Sequence, residues 1–229
     1  MSWLIDFFNL VYPRVCMACG ESLFKHEDCI CSHCIYYLPK TNFHRERENA
    51  VSQLFWGRVN IQTATAFYYF KKQSKVQNLL HQLKYKGQKQ VGVKLGSLYG
   101  IELLQSKNFE DVNLIIPVPL HPDKEKKRGY NQSEMFALGL SQTMNAPCET
   151  DILIRTFASE TQTRKSKYTR WENVKSIFEL TDIERLRDKH VLLVDDVITT
   201  GATIEACAQH LLSVPGTRVS IAAIACSLN

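Results

Sequence analysis

Apolar and polar positions along the chain repeat with two different periods. TATAFYYF (residues 63–70) is dense in β-branched and aromatic side chains and predicts a strand. In SKVQNLLHQLKYKG, Val76, Leu79, Leu80 and Leu83 then share one helical face, with Ser74 placed to cap the helix and Gly87 to end it. VGVKLGSLYGIELL (91–104) predicts a second helix. VNLIIPVPL (112–120) is the continuous apolar run of a central parallel strand. QSEMFALGLSQTM is a helix with Met135, Phe136, Leu140 and Met144 on one face, and ILIRT (152–156) is a short strand. HVLLVDD is the next central strand. In the helix after it, the stripe Ile204, Cys207, Ala208, Leu211 and Leu212 stops at Pro215-Gly216, and RVSIAAIAC closes the sheet. This alternation predicts an α/β fold, a mostly parallel sheet flanked by helices. At the start, Trp3, Leu4, Phe7, Phe8 and Val11 recur at helical spacing, a short docking helix ended by Pro13.

Composition narrows the picture. A chain of 229 residues accommodates one sizeable α/β domain and a small appendage. A hydrophobic fraction of 45% and a charged fraction of 22% are ordinary for a folded protein, and the net charge of +5 suits phosphorylated partners. No stretch approaches the roughly 18 uncharged apolar residues of a membrane span. The start lacks a basic segment and carries Asp6, so the expected location is cytoplasmic.

Five of the eight cysteines fall between Cys16 and Cys34. Cys16 and Cys19 form one CxxC pair and Cys31 and Cys34 a second, the spacing of a closed four-cysteine zinc site of structural type. Metal binding would supply folding energy to a segment with few apolar positions. Cys29 is an alternative ligand, while His26 and His33 read as solvated. Residues 1–55 are therefore assigned to a terminal helix and zinc module. PKTNFHREREN is read as a linker, and 56–229 as the larger domain.

Three polar clusters fall at predicted strand ends, where ligands of parallel sheets bind. They are PVPLHPDKEKKRGYNQSE, RTFASETQTRKSKYTRWENV and DDVITTGAT. In the last, Thr199, Thr200, Gly201, Ala202 and Thr203 lead into a helix whose N-terminal amides and hydroxyls suit a monophosphate. Neither GK[ST] nor GxGxxG is present, which argues against a Walker loop or a dinucleotide site. Asp195 and Asp196 beside a phosphate cradle make sense if they accept hydrogen bonds from sugar hydroxyls, as in a ribose 5-phosphate. Lys84 and Tyr85 read as helix-end residues, with Lys84 serving the last carbonyls.

An apolar strand, two acids and TTGAT resemble the phosphoribosyl pyrophosphate (PRPP) signature of type I phosphoribosyltransferases. PVPLHPDKEKKRGYNQSE and the four-cysteine start narrow the resemblance to the ComF/GntX family of competence-related proteins. The resemblance implies a type I phosphoribosyltransferase fold, with a hood from about 56–110 over a core of 111–229. It implies that Asp195 and Asp196 hold the ribose hydroxyls and that 199–203 hold the 5-phosphate. Pro119, Leu120 and His121 would receive pyrophosphate, with Lys127 and Arg128 as charge partners. Arg155, Gln162 and Arg164 would lie on a closing catalytic loop, and Mg²⁺ would bridge ligand oxygens. Two functions follow. One is phosphoribosyl transfer to an unidentified acceptor in a protein accessory to DNA uptake. The other is a non-catalytic PRPP sensor or single-stranded-DNA-binding accessory, with DNA, competence or recombination proteins as partners.

Overall fold

The computed structural model describes residues 13–156 and 177–228. Among these residues the chain forms helix α1 (Ser32–Tyr37), strand β1 (Ala64–Tyr69), helices α2 (Lys75–Tyr85) and α3 (Lys89–Leu104), and strand β2 (Leu114–Pro117). Helices α4 (Pro122–Arg128) and α5 (Gln132–Met144) follow, then strands β3 (Leu153–Arg155), β4 (Phe178–Leu180) and β5 (His190–Ile198), helix α6 (Ala202–Leu212) and strand β6 (Arg218–Cys226). The predicted docking helix of residues 3–11 lies outside the described residues.

The main sheet has the order β1-β6-β5-β2 and is parallel throughout. Ala64, Ile221, Leu193 and Ile116 stand in one row across it, because each strand contributes one apolar residue per pleat to the same face. That face packs on the stripe of α6 (Ile204, Cys207, Ala208, Leu211). Leu192 and Val194 of β5 point to the opposite face, under α2, α3 and α5. Apolar runs without alternation are the expected mark of such a doubly covered sheet.

Helices α3 and α5 meet backbone to backbone. A Cβ on Gly96 would lie 2.2 Å from the Phe136 carbonyl oxygen, and one on Gly139 would lie 2.0 Å from that of Val93. Small residues at these positions bring the two helices into contact above the sheet.

Four elements differ from expectation. ILIRT does not join the main sheet: β3 pairs antiparallel with β4, and a bridge between Ile115 and Cys148 extends the β2 edge instead. The strand predicted over 112–120 is shorter: it runs Leu114–Pro117, with one further bond from the Val118 N–H to the Val194 carbonyl. The charge run 124–128 is a solvated surface, and it forms helix α4, which no apolar spacing announces. His121 Nδ1 accepts from the Asp123 N–H at 3.2 Å, Pro122 opens the first turn, basic residues fill the last, and Gly129 (φ 78°) ends it. PKTNFHREREN is not a linker. It lies along β1, with the Asn49 amide donating to the Ala64 carbonyl at 2.9 Å and the Thr41 N–H to that of Phe67 at 3.0 Å. Its polar groups satisfy the open edge of the sheet.

The cysteine segment belongs to the same apolar layer as α2 and α3, with Cys16, Ala18, Cys29 and Ile30 packed among Val76, Leu79 and Leu80. Asn78 of α2 donates to the Ala18 carbonyl at 2.9 Å, and Lys94 of α3 pairs with Asp28 at 3.2 Å.

Candidate functional site

The strand order places a switch point at the carboxyl ends of β2 and β5. From β2 the chain passes through α5, on one face, to the bridge at Cys148 beyond the β2 edge. From β5 it passes through α6, on the other face, to β6 on the opposite side. Loops diverge there and leave a crevice, the usual ligand position in open parallel sheets.

Asp195 and Asp196 end the buried stretch of β5 at that crevice. Asp195 Oδ1 accepts the Ser133 hydroxyl at 2.8 Å and the Asp196 N–H at 2.8 Å. Burial, aided by the neighbouring Asp196 charge, pushes Asp195 up to about 7, against the pull of those two donors and of Lys84. Asp196 instead meets a cation, with Lys84 Nζ 2.9 Å from its Oδ1. Lys84 is thus not a helix-end cap: it spans from α2 to β5, and the Leu83 carbonyl beside it is held by the Tyr130 hydroxyl.

The threonine-rich loop follows directly. Gly201 is the residue before α6 and adopts φ 73°, which only glycine takes readily. A Cβ there would also meet the buried Phe55 ring at 2.8 Å. Having no side chain, Gly201 cannot cap α6, and the Thr200 hydroxyl reaches the Ala202 N–H only at 3.5 Å. The first-turn amides of α6 thus have no side-chain cap, at the positive end of the helix dipole where an anion is favoured. Thr199, Thr200, Gly201, Ala202 and Thr203 line one small cavity together with Asp195. The loop is tied from below by Arg58, which donates to the Thr200 carbonyl at 2.9 Å and to that of Leu54 at 2.8 Å, and pairs with Glu205.

A larger cavity of ≈ 390 Å³ adjoins this loop, lined among others by Leu80, His81, Lys84, Asp196, Thr199 and Ser227. Another, of ≈ 280 Å³, brings Pro119, Leu120 and Arg155 together with Asn131 and Glu134. The start of α5 connects the two regions: Asn131 caps it and donates to the Val118 carbonyl at 3.0 Å, and Ser133 holds Asp195. The Arg155 guanidinium lies 5.5 Å from the Phe178 ring. His121 caps α4 and pairs with Asp123, and Lys127 is exposed on the same helix. Arg128 bonds Gln132 and lies 5.5 Å from the Tyr85 ring. Gln162 and Arg164 lie outside the described residues.

At the other end of the molecule, one sulfur each of Cys16, Cys19, Cys31 and Cys34 lies within 4.8 Å of the others. Cys29 is not among them; its sulfur turns to the Gln90 carbonyl at 3.8 Å. Burial pushes the Cys16 thiol up, but N–H groups of Cys31, Cys19 and Ala18 outweigh it and hold Cys16 at about 7. Cys31 and Cys34 are pushed up by burial. Four sulfurs at this spacing, with the Cys31 and Cys34 amides aimed at sulfurs (3.3 and 3.4 Å), form a closed site able to hold a metal ion such as zinc. His26 and His33 are exposed.

Sequence reasoning missed Lys84, Ser133, Arg58 and Phe55. Each acts on the crevice from a distant part of the chain; Ser133 lies inside the polar cluster of 117–134, and the other three carry no local signal of that role.

Comparison with known proteins agrees with this geometry. The phosphoribosyl transferase domain family matches residues 131–227, which run from the start of α5 through β6. DNA utilization protein YhgH of Escherichia coli O157:H7 is 34% identical over 137 residues, 58% of this chain and 60% of that protein. Competence protein F of Haemophilus influenzae is 31% identical over the same length. The chain thus aligns with about 60% of the length of these curated relatives. The solved glutamine PRPP amidotransferase of B. subtilis is 20% identical, covers 63% of this chain and 30% of its own, and has a TM-score of 0.44, too remote to bear on chemistry. The domain match and the relatives converge: residues 131–227 match the phosphoribosyl transferase domain family, and the chain is similar to competence and DNA-utilization proteins.

Proposed function

We propose that the crevice binds PRPP with Mg²⁺ and transfers its phosphoribosyl group to an acceptor, in a protein that serves DNA utilization or uptake. The observation that carries this reading is the shared cavity of Asp195 and the 199–203 loop, carboxylate acceptors beside uncapped helix amides. In this reading the amides of 202–204 and the threonine hydroxyls hold the 5-phosphate, and Asp195 and Asp196 accept the ribose hydroxyls. Pro119, Leu120 and His121 receive the pyrophosphate, with Lys127, Arg128 and Arg155 supplying positive charge. Gln162 and Arg164 complete the closing loop. The carboxylates already engage Ser133 and Lys84. An ion is therefore held mainly by ligand oxygens and water, and Mg²⁺ when bound supplies charge neutralisation at the pyrophosphate.

The protein's own contribution to transfer is electrostatic. Positive charge develops on the ribose ring as pyrophosphate leaves C1, and two carboxylates beneath the ring stabilise it. The four-sulfur site holds zinc as a structural ion. The names of the relatives, DNA utilization protein and competence protein, motivate the biological setting and make single-stranded DNA or a competence or recombination protein the candidate partner.

Calorimetry is expected to show PRPP binding that requires Mg²⁺ and is lost in the Asp195→Asn plus Asp196→Asn double variant; equal binding by that variant rules the reading out. Pyrophosphate release from PRPP, measured across amines and bases, separates transfer from recognition. Release with none of them favours the second reading, a sensor or DNA-binding accessory that uses PRPP without turnover.

A further inference from the structure

Two adjacent carboxylates end the apolar strand, and of the two only Asp196 meets a cation within salt-bridge distance among the described residues. Lys84 Nζ lies 2.9 Å from Asp196 Oδ1, with side chains only 22% and 15% exposed. Partial removal of water strengthens such a pair relative to one on the open surface. The lysine is not a wandering surface group. It projects from α2, whose Val76, Leu79, Leu80 and Leu83 are buried, and whose Leu83 carbonyl takes the Tyr130 hydroxyl. Helix α2 presents the ammonium from a fixed position, and its Lys84, His81 and Tyr85 share with Asp196 and Thr199 the cavity of ≈ 390 Å³.

We propose that Lys84 is a positioning residue for sugar recognition: it anchors one oxygen of Asp196, leaves the other to accept a ribose hydroxyl, and favours the state in which both neighbouring carboxylates are charged. The proposal rests on the sugar-phosphate reading of the crevice and assigns to it a residue outside the strand, loop and turn motifs. Charge balance motivates it. Asp195 is held by neutral donors, the Ser133 hydroxyl and the Asp196 N–H, while burial and Asp196 both favour its protonated form. Among the described residues, the other titratable groups facing the pair are His81 and Tyr85 of α2 and Cys207 of α6, leaving the Lys84 ammonium as the fixed positive charge among them. Lys84 pulls against the proton that burial and Asp196 favour on Asp195, so without it the pair would keep that proton to higher pH. A shared proton removes one acceptor from a site built to receive two hydroxyls.

The test compares wild type with Lys84→Met, Lys84→Gln and Lys84→Arg, using Mg²⁺ and PRPP as the probe from pH 6 to 9. Each variant is first confirmed as folded by its thermal transition. The ligand's own titration is common to all and cancels in the comparison. Lys84→Met and Lys84→Gln are expected to raise the pH midpoint of binding by about one unit, and so to bind about fivefold more weakly at pH 7 and about tenfold near pH 6, with the difference closing by pH 9. Lys84→Arg restores the wild-type midpoint. Neutral variants that bind like wild type, or weaken equally at every pH with an unmoved midpoint, overturn the positioning role and leave the sugar-phosphate reading intact. Absence of PRPP binding by the wild-type chain overturns both.

Discussion

Asp195 shows how a single side chain can trade stability for recognition. Its folded-state value is raised to about 7 by burial and by Asp196, whereas the unfolded chain leaves it in the ordinary carboxylate range. Between those two values the folded state holds the extra proton. Stability therefore declines as pH climbs through that window and stays reduced above it. Asp195→Asn removes the penalty while keeping an oxygen for Ser133 and the Asp196 amide. Thermal unfolding followed by circular dichroism is expected to show a higher Tm for this variant at pH 8, about 2–4 °C for each kcal/mol recovered, and little difference near pH 4. The same variant should lose PRPP affinity. An unchanged or lower Tm at pH 8 contradicts the assignment. Asp195 and Asp196 were legible from sequence because adjacent acids at the end of an apolar run conflict with simple burial. Lys84 was not: its partner is 112 residues away, and its helix-end position offers a sufficient local explanation. Ser133 lies in the polar cluster of 117–134, but its partner, 62 residues on, was not readable.

Helices were legible from their apolar spacing, and α5 spans the same residues, Gln132–Met144, as its pattern predicts. What spacing does not reveal is the partner. Gly92, Gly96 and Gly100 look like poor helix formers by propensity. In the fold, Gly96 and Gly139 are where α3 and α5 touch. Gly139→Ala would place a Cβ 2.0 Å from the Val93 carbonyl oxygen, so the helices must separate along a buried seam. The expected loss is about 1–3 kcal/mol in denaturant unfolding. Leu138→Ala, one residue away and 37% exposed, should cost far less. A Gly139→Ala variant as stable as wild type or more so would mean that the gain in helix propensity, not the close contact, dominates. Helix α4 has no apolar stripe to announce it, and only His121, Pro122 and Gly129 mark its ends. Strand β3 was recognised as a strand, but short apolar segments carry no information about which sheet they join.

On the scale of the whole molecule, alternating elements and a paired CxxC pattern made the fold class and the metal-capable cysteine cluster readable, whereas strand order and the course of the 39–49 segment depend on long-range contacts. The cysteine cluster shares an apolar layer with α2 and α3, so a metal bound there should support more than its own loop. Elemental analysis is expected to find about one zinc per chain. Removing it by chelation, or substituting Cys16→Ser, should lower the Tm of the whole chain in one transition. A separate early transition that leaves the main one unmoved would show the module to be independent. Arg58 carries a further consequence. It grips the Thr200 carbonyl from 142 residues upstream, and Phe55 supports Gly201 from the same region. The short signature around Thr200 is therefore not a transferable cassette. A fragment limited to residues 131–227 would keep every letter of that signature and lose the props that shape it, so the recognisable motif is smaller than the part of the protein able to use it.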